Sequence, residues 1–215
     1  MFTGDIAGVL IVYLYVSALL LIFDFFLKND PFKNRKLIHI LVGNIIFVVP
    51  IFETRWVMVL LAAAPFILIT YLISPKSFLT SNSKVSGMGH ASGLIYYSIS
   101  WTILAFLFFD HPGVIAVGIL CMSYGDGLAS LVGKKYGKHR LKGNKTFEGS
   151  GAMFLSSTVM IFLVLYYFDS MPGTFLIIPF VAGIATIVEI FSVKGLDNFF
   201  VAMISSITYY ILVHL

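Results

Sequence analysis

The sequence is poor in charge and almost free of cysteine. Of its 215 residues only 11% are Asp, Glu, Lys or Arg, less than half the roughly 25% of a soluble domain. That shortage excludes an ordinary water-exposed surface. With a mean hydropathy of +0.98 and repeated apolar runs of bilayer length, the chain reads as an all-α, polytopic helical membrane protein. The single cysteine, Cys121, excludes an intramolecular disulfide and reads as a small packing residue. A cleavable signal is not expected, because Met1–Asp5 carries no positive charge and the first apolar run has about twenty residues, the length of a span. Both standard nucleotide loops are missing too. Gly133, Gly137, Lys138 and His139 fall one residue short of a P-loop, and Gly87, Gly89 and Gly93 have the wrong last spacing for a dinucleotide fold. Any nucleotide must therefore be held by a device peculiar to membrane proteins. There is no internal repeat and no low-complexity linker, and the length suits one integral membrane domain over 1–215.

What is present is about eight apolar runs, at 6–27, 38–52, 56–73, 91–109, 113–133, 149–168, 173–191 and 199–215. The second is short and holds Gly43, Asn44 and Pro50, which predicts a broken or tilted helix. Pro65 invites a kink in the third. Tight turns are expected at Glu53–Arg55, Asp110–Pro112 and 169–173. If the N-terminus lies outside, thirteen of the fourteen Lys and Arg fall on the cytoplasmic side and only Arg55 is external. Lys28, Lys76, Lys84 and Lys194 belong to that majority. One span more or fewer would erase the asymmetry, so the positive-inside rule predicts N-out, C-out.

This topology carries polar groups from six places to one membrane face: Arg35-Lys36 with His39, Gly89-His90, Gly125-Asp126, Lys145-Thr146 with Glu148-Gly149, Glu189, and Asp197-Asn198. Acids inside apolar runs are costly and mark pathways or reaction sites. Asp126 is the first of these, and a carboxylate buried near a membrane face needs a cation or metal partner. Gly125, Ala129, Gly133 and Gly137 recur every four residues, a spacing that lets another helix approach. Lys134, Lys135, Lys138, Arg140, Lys142 and Lys145 follow within twelve positions. Such a segment can be a solvated positive-inside loop on anionic lipid, or a phosphate-binding loop in which glycines permit close approach. Lys145 is the strongest candidate for the second role, standing beside Thr146 and three residues before Glu148. Arg35, Lys36 and His39 are equally a topology signal with an interfacial histidine. Glu53, Asp110 and Asp169 are ordinary solvated acids, and the many Phe and Tyr are lipid-facing bulk and interfacial anchors.

Taken in order, Arg35-Lys36 with His39, Gly125-Asp126-Gly127 with Ala129 and Gly133, Gly137-Lys138, Lys145-Thr146 with Glu148-Gly149, and Gly195 with Asp197-Asn198 resemble the polyprenol kinase family. That family comprises dolichol kinases, phytol kinases and the yeast-type CTP-dependent diacylglycerol kinase. The resemblance runs from about residue 35 to 200, and the middle motif is its specific part. It implies transfer of the γ-phosphoryl group of CTP to a lipid alcohol, with Mg²⁺, and the distribution of Lys and Arg puts that site at the cytoplasmic face of the cell membrane. The chain's size resembles the compact microbial and phytol-kinase-like members. That suggests an isoprenoid alcohol (a polyprenol, phytol or geranylgeraniol), with diacylglycerol also in view.

The implied metal ligands are Asp126 and Asp197 with Glu148. The implied nucleotide-binding groups are Lys134, Lys138, Arg140, Lys142, Lys145, Thr146, Gly149, Arg35, Lys36 and Asn198. The catalytic set is Asp126, Lys145, Glu148, Glu189 and His39, and the proton acceptor is left open between Glu189 and His39. Phosphoryl transfer asks mainly for positioning and charge neutralisation, which this set can supply. CTP, a lipid alcohol and membrane lipids are the expected partners, with no nucleic acid; the oligomeric state is not legible. CDP-lipid synthases share the Gly-Asp and Lys-Thr elements and form the first alternative, although they usually carry Ser where Gly125 stands. A small transporter is the second, and the one-sided clustering argues against it.

Overall fold

The computed structural model describes residues 2–27, 29–74, 92–168, 175–193 and 195–214. Gly87, Gly89-His90, the cations Lys28, Lys76, Lys84 and Lys194, and the turn at 169–173 lie outside them. The described residues form eight continuous helical segments: α1 (Thr3–Phe26), α2 (Pro31–Val42, carried on as a 3-10 helix through Gly43–Ile51), α3 (Arg55–Leu72), α4 (Ser92–Leu107), α5 (Pro112–Tyr136), α6 (Phe147–Tyr167), α7 (Ile177–Phe191) and α8 (Asp197–His214). Five of them, α1, α2, α3, α5 and α6, are long and apolar enough to cross a membrane, while α4 and α7 are shorter apolar helices.

The bundle is organised around α5, whose apolar stretch is 78% buried against 22% for α1. Its neighbours are α2, α4, α6 and α8. Val114 through Leu120 are all buried, because this helix meets others on every side. Helix α1 turns Leu14, Leu21, Phe25 and Phe26 outward, as helices facing hydrocarbon do.

Two boundaries differ from the sequence-based spans for local reasons. Helix α2 starts at Pro31 rather than near 38, because the Asp30 side chain accepts from the Lys33 N–H at 3.1 Å and proline suits the first helical position. Arg35, Lys36 and His39 therefore sit on a formed helix. Helix α5 runs past 133 to Tyr136, placing Lys134 and Lys135 in its last turn, where cations complement the helix dipole.

Three irregularities break the α-geometry. The second apolar run tightens at Gly43, as its composition suggested. In α3 a π-turn over Met58–Ala63 precedes Pro65, and the Ala64 N–H reaches back to the Val59 carbonyl at 2.8 Å. A second π-turn, Cys121–Gly125, ends where Asp126 begins. It abuts the break in α2, since a Cβ added to Gly43 would lie 2.6 Å from the Ser123 Cβ. Such turns are uncommon and often found at functional sites.

Candidate active site

The site is assembled first by a seam of small residues. Helix α6 starts at Thr146, whose hydroxyl accepts from the Gly149 N–H at 3.1 Å, a side-chain N-cap. Its first turn is pressed against α5. A Cβ on Gly149 would lie 2.8 Å from the Ala129 carbonyl oxygen, and one on Gly133 2.9 Å from Thr146 Oγ1. Ala129 and Gly133 thus pack as their spacing suggested; Gly149, expected as a nucleotide-binding residue, is a packing partner in the same seam, and the seam brings Lys145 beside Asp126.

Between the two helices the basic segment is an ordered hairpin. Leu141 N–H donates to the Lys145 carbonyl and Phe147 N–H to the His139 carbonyl, both at 2.9 Å. The hairpin turns at Gly143, whose φ of 63° lies in the left-handed region that glycine adopts freely.

A cavity of ≈ 420 Å³ opens at this end of the bundle. Asp126, only 3% exposed, lies between two ammonium groups. Lys36 Nζ donates to its Oδ2 at 2.8 Å, and Lys145 Nζ stands 4.0 Å from its Oδ1. Lys145 also pairs with Glu189 and lies 3.4 Å from Asp197 Oδ2. One ammonium therefore touches three carboxylates from three helices. Burial works against the charged form of Lys145, but Asp126, Glu189 and Asp197 outweigh it and hold its pKa above the usual lysine value. It is a fixed positive charge at neutral pH, not a base.

His39 is buried, with Nε2 3.1 Å from the Met122 carbonyl and 3.7 Å from Asp126 Oδ2. Asn198 donates from Nδ2 to the Gly93 carbonyl at 2.7 Å, while its backbone N–H donates to Asp197 Oδ1 at 3.0 Å. Three buried atoms at the cavity wall have no hydrogen-bond partner among the described residues: Glu189 Oε2, Asn198 Oδ1 and Ser150 Oγ.

Of the residues singled out in the sequence, Arg35, Lys36, His39, Asp126, Lys134, Lys145, Thr146, Gly149, Glu189, Asp197 and Asn198 all line this cavity. Four do not. Glu148, expected as a third metal ligand, is instead held by His139, whose Nδ1 is 2.7 Å from its Oε1. The cause is helical geometry: Thr146 and Gly149 face α5, so Glu148 points along the hairpin. Lys138, Arg140 and Lys142 are exposed, and Lys142 rests over the Phe191 ring at 5.0 Å. The sequence reading passed over Ser130 and Ser150, which also line the cavity. Ser130 stands four residues after Asp126, one helical turn along the same face, and that spacing could have flagged it.

Carboxylate oxygens are the hard donors that Mg²⁺ takes, and the unpartnered Glu189 oxygen leaves acceptor capacity unspent. Asp126, Glu189 and Asp197 thus fit a divalent ion in chemistry. Among the described residues, however, no three His, Cys, Asp or Glu side chains are arranged to hold a metal, and Lys145 stands among these three.

No family model matches the chain, and no solved structure is significantly similar to it. The chain is 30% identical over 183 residues to a phytol kinase of Synechocystis sp., covering 81% of this chain and 76% of that protein. The chain belongs to the polyprenol and phytol kinase family. A chloroplastic phytol kinase of Arabidopsis thaliana is 28% identical over 195 residues, and the chain spans 64% of its length. A dolichol kinase of Schizosaccharomyces pombe is 47% identical over 53 residues, which are 24% of this chain and 10% of that protein. Asp126, Lys145 and Asp197, which carry much of the family resemblance, are the residues that meet in the cavity.

Proposed function

We propose that the protein is a CTP-dependent kinase that phosphorylates the hydroxyl of a membrane isoprenoid alcohol of the phytol or polyprenol class. The observation that carries this reading is the convergence of buried Asp126 and Glu189 and half-buried Asp197 on Lys145, with Lys36 on Asp126, in an apolar bundle whose relatives are named phytol and dolichol kinases. Phosphoryl transfer needs charge neutralisation around the moving group more than covalent help. Lys36 and Lys145 are within reach of the cavity to supply it. Asp126, Asp197 and Oε1 of Glu189 would hold Mg²⁺, which when bound would offset the phosphate charge, leaving Glu189 Oε2 for proton transfer.

For the proton acceptor the geometry favours Glu189. The Nε2 of His39 donates to the Met122 carbonyl, whereas Glu189 Oε2, at the cavity wall, has no partner among the described residues. The acceptor hydroxyl would give its proton to Glu189 while its oxygen bonds to the γ-phosphorus and CDP departs. An eight-span, N-out, C-out topology, read from the distribution of Lys and Arg, would put this chemistry at the cytoplasmic face of the cell membrane.

Incubation of the purified protein with γ-labelled and α-labelled CTP, and with a panel of lipid alcohols and lipid phosphates, tests the reading. Label from γ-CTP should pass to an alcohol with release of CDP. Label from α-CTP in the lipid, with diphosphate released, would establish a CDP-lipid synthase instead.

A further inference from the structure

The acidic cleft contains more acceptor oxygen than its cations satisfy. Of six carboxylate oxygens, Asp126 Oδ2 takes the Lys36 proton and Asp197 Oδ1 takes the Asn198 N–H. Lys145 pairs with Glu189 Oε1, reaches Asp197 Oδ2 at 3.4 Å and lies 4.0 Å from Asp126 Oδ1. Glu189 Oε2 has no partner among the described residues, although Glu189 is only 2% exposed. An ammonium has three protons but a single charge to give, so it offsets this group only in part and does not saturate it. Its position among three acids is the position a divalent cation would claim.

Lys145 is also the one member of the cluster that does not belong to a helix. It ends the hairpin, one residue before the Thr146 cap of α6, and its four-carbon stem is flexible. The carboxylates are fixed on α5, α7 and α8, while the cation can exchange partners.

We propose that Lys145 is a resident counter-ion standing in the divalent-cation place among Asp126, Glu189 and Asp197, so that the cleft admits metal only together with a nucleotide whose phosphate draws Lys145 away. This rests on the phosphoryl-transfer reading for the identity of the incoming phosphate. No ionic group is left unpaired: the metal takes the ammonium's place on the carboxylates, and the ammonium is re-paired with phosphate oxygen. Free divalent ions must instead expel a lysine that has no other anion to go to.

The test is Mn²⁺ binding, read as loss of the free-ion electron paramagnetic resonance signal, on the full chain in detergent. Mn²⁺ is a suitable probe because it shares the oxygen preference of Mg²⁺. Wild-type protein should bind Mn²⁺ weakly alone and at least about tenfold more tightly with a non-hydrolysable CTP analogue, after subtraction of a protein-free control. Lys145→Met should bind Mn²⁺ without nucleotide at least about tenfold more tightly than wild type, because a unit charge a few ångströms away has gone. Unchanged or weaker Mn²⁺ binding in folded Lys145→Met would overturn the proposal. So would wild-type protein that binds Mn²⁺ equally well with and without the analogue, a result that stands even if the variant does not fold. Neither nucleotide-free measurement involves a lipid or turnover, so absence of phosphoryl transfer would be a separate failure, of the kinase reading.

Discussion

The two ends of the helix bundle both carry acids and bases, and they use them differently. At the end away from the cavity each charge has one local task. Asp5 accepts from the N–H groups of Glu53 and Thr54, both at 3.0 Å, and so fixes the turn between α2 and α3. Arg55 pairs with Asp110 in the open, their side chains 39% and 68% exposed. At the cavity end Lys145 serves three acids and Asp126 serves two lysines, whereas the one buried acid of the far end, Asp5, meets only backbone N–H groups; each end leaves one carboxylate oxygen, Asp5 Oδ2 and Glu189 Oε2, without a partner among the described residues. Exposed pairs contribute about 0–1 kcal/mol and are readily replaced. Buried charges cost several kcal/mol each to desolvate and are poor devices for stability. A fold that needed only cohesion would use the first arrangement at both ends, so the second marks work other than cohesion.

The largest effect that can sharpen this contrast is Asp126→Asn. Activity should fall by at least about a thousandfold, because both the lysine charges and a divalent ion lose their common anion. The variant should still fold, since Lys145 keeps Glu189 and Asp197, with a melting temperature in detergent within several degrees of wild type. Near-normal turnover at saturating Mg²⁺ would move Asp126 to the class of Asp110.

Next comes Glu189→Gln against His39→Gln. General-base groups contribute about 10²–10⁴ in rate, and the Gln variant of the true proton acceptor should lose at least the lower figure in kcat. We expect that loss for Glu189, with nucleotide affinity changed far less. A fluorinated lipid alcohol, which is more acidic, should narrow the deficit of Glu189→Gln. If His39→Gln shows the larger loss and the larger rescue, the roles are reversed.

A smaller effect tests the seam that assembles the cavity. Gly149→Val sets a branched side chain where even a Cβ would be 2.8 Å from the Ala129 carbonyl. Overpacking of this kind costs about 1–3 kcal/mol, visible as a lowered melting temperature. Gly151→Ala, two residues on and facing open space, should be neutral or slightly stabilising. Equal behaviour of the two would mean that α5 and α6 are not pressed together as described.

How much of this was legible in the sequence follows from which forces are local. Apolar runs announced the helices, and proline and glycine announced the breaks in the second and third runs. Asp126, Lys145, Glu189 and Asp197 stood out because charge in hydrocarbon needs a reason, and they do meet. The direction of Glu148 did not show, since it depends on which face of α6 meets α5, a property of the glycine seam and not of the motif. The hairpin between α5 and α6 was hidden for a similar reason: its Arg140–Thr146 pairing is a contact between helix ends whose spacing only the packed bundle sets. Ser150 was missed because a serine in an apolar helix ordinarily bonds its own backbone, and only burial without a partner distinguishes it.

The smallest effect belongs to the far end, and it is the control on which the comparison depends. Arg55→Ala removes the exposed partner of Asp110 and a guanidinium stacked 5.7 Å from the Phe109 ring. The pair is solvent-screened, and the ring contact adds at most about 0.5–1 kcal/mol at an exposed site. Stability should therefore change by no more than about 1 kcal/mol, and turnover with lipid alcohol should stay within about twofold. The effect on stability should shrink further in high salt, because exposed charges are screened over about 10 Å at 0.1 M. Arg55 has a second use by the positive-inside rule, as the lone cation expected on the outer side. Removing it strengthens the inward bias, so an impermeant cysteine reagent in intact cells should label position 55 in a Cys121-free background and leave position 138 unlabelled. A large loss of activity from Arg55→Ala, with the protein still folded and correctly inserted, would show that the far end is coupled to the cavity and that the division of labour drawn between the two ends is wrong.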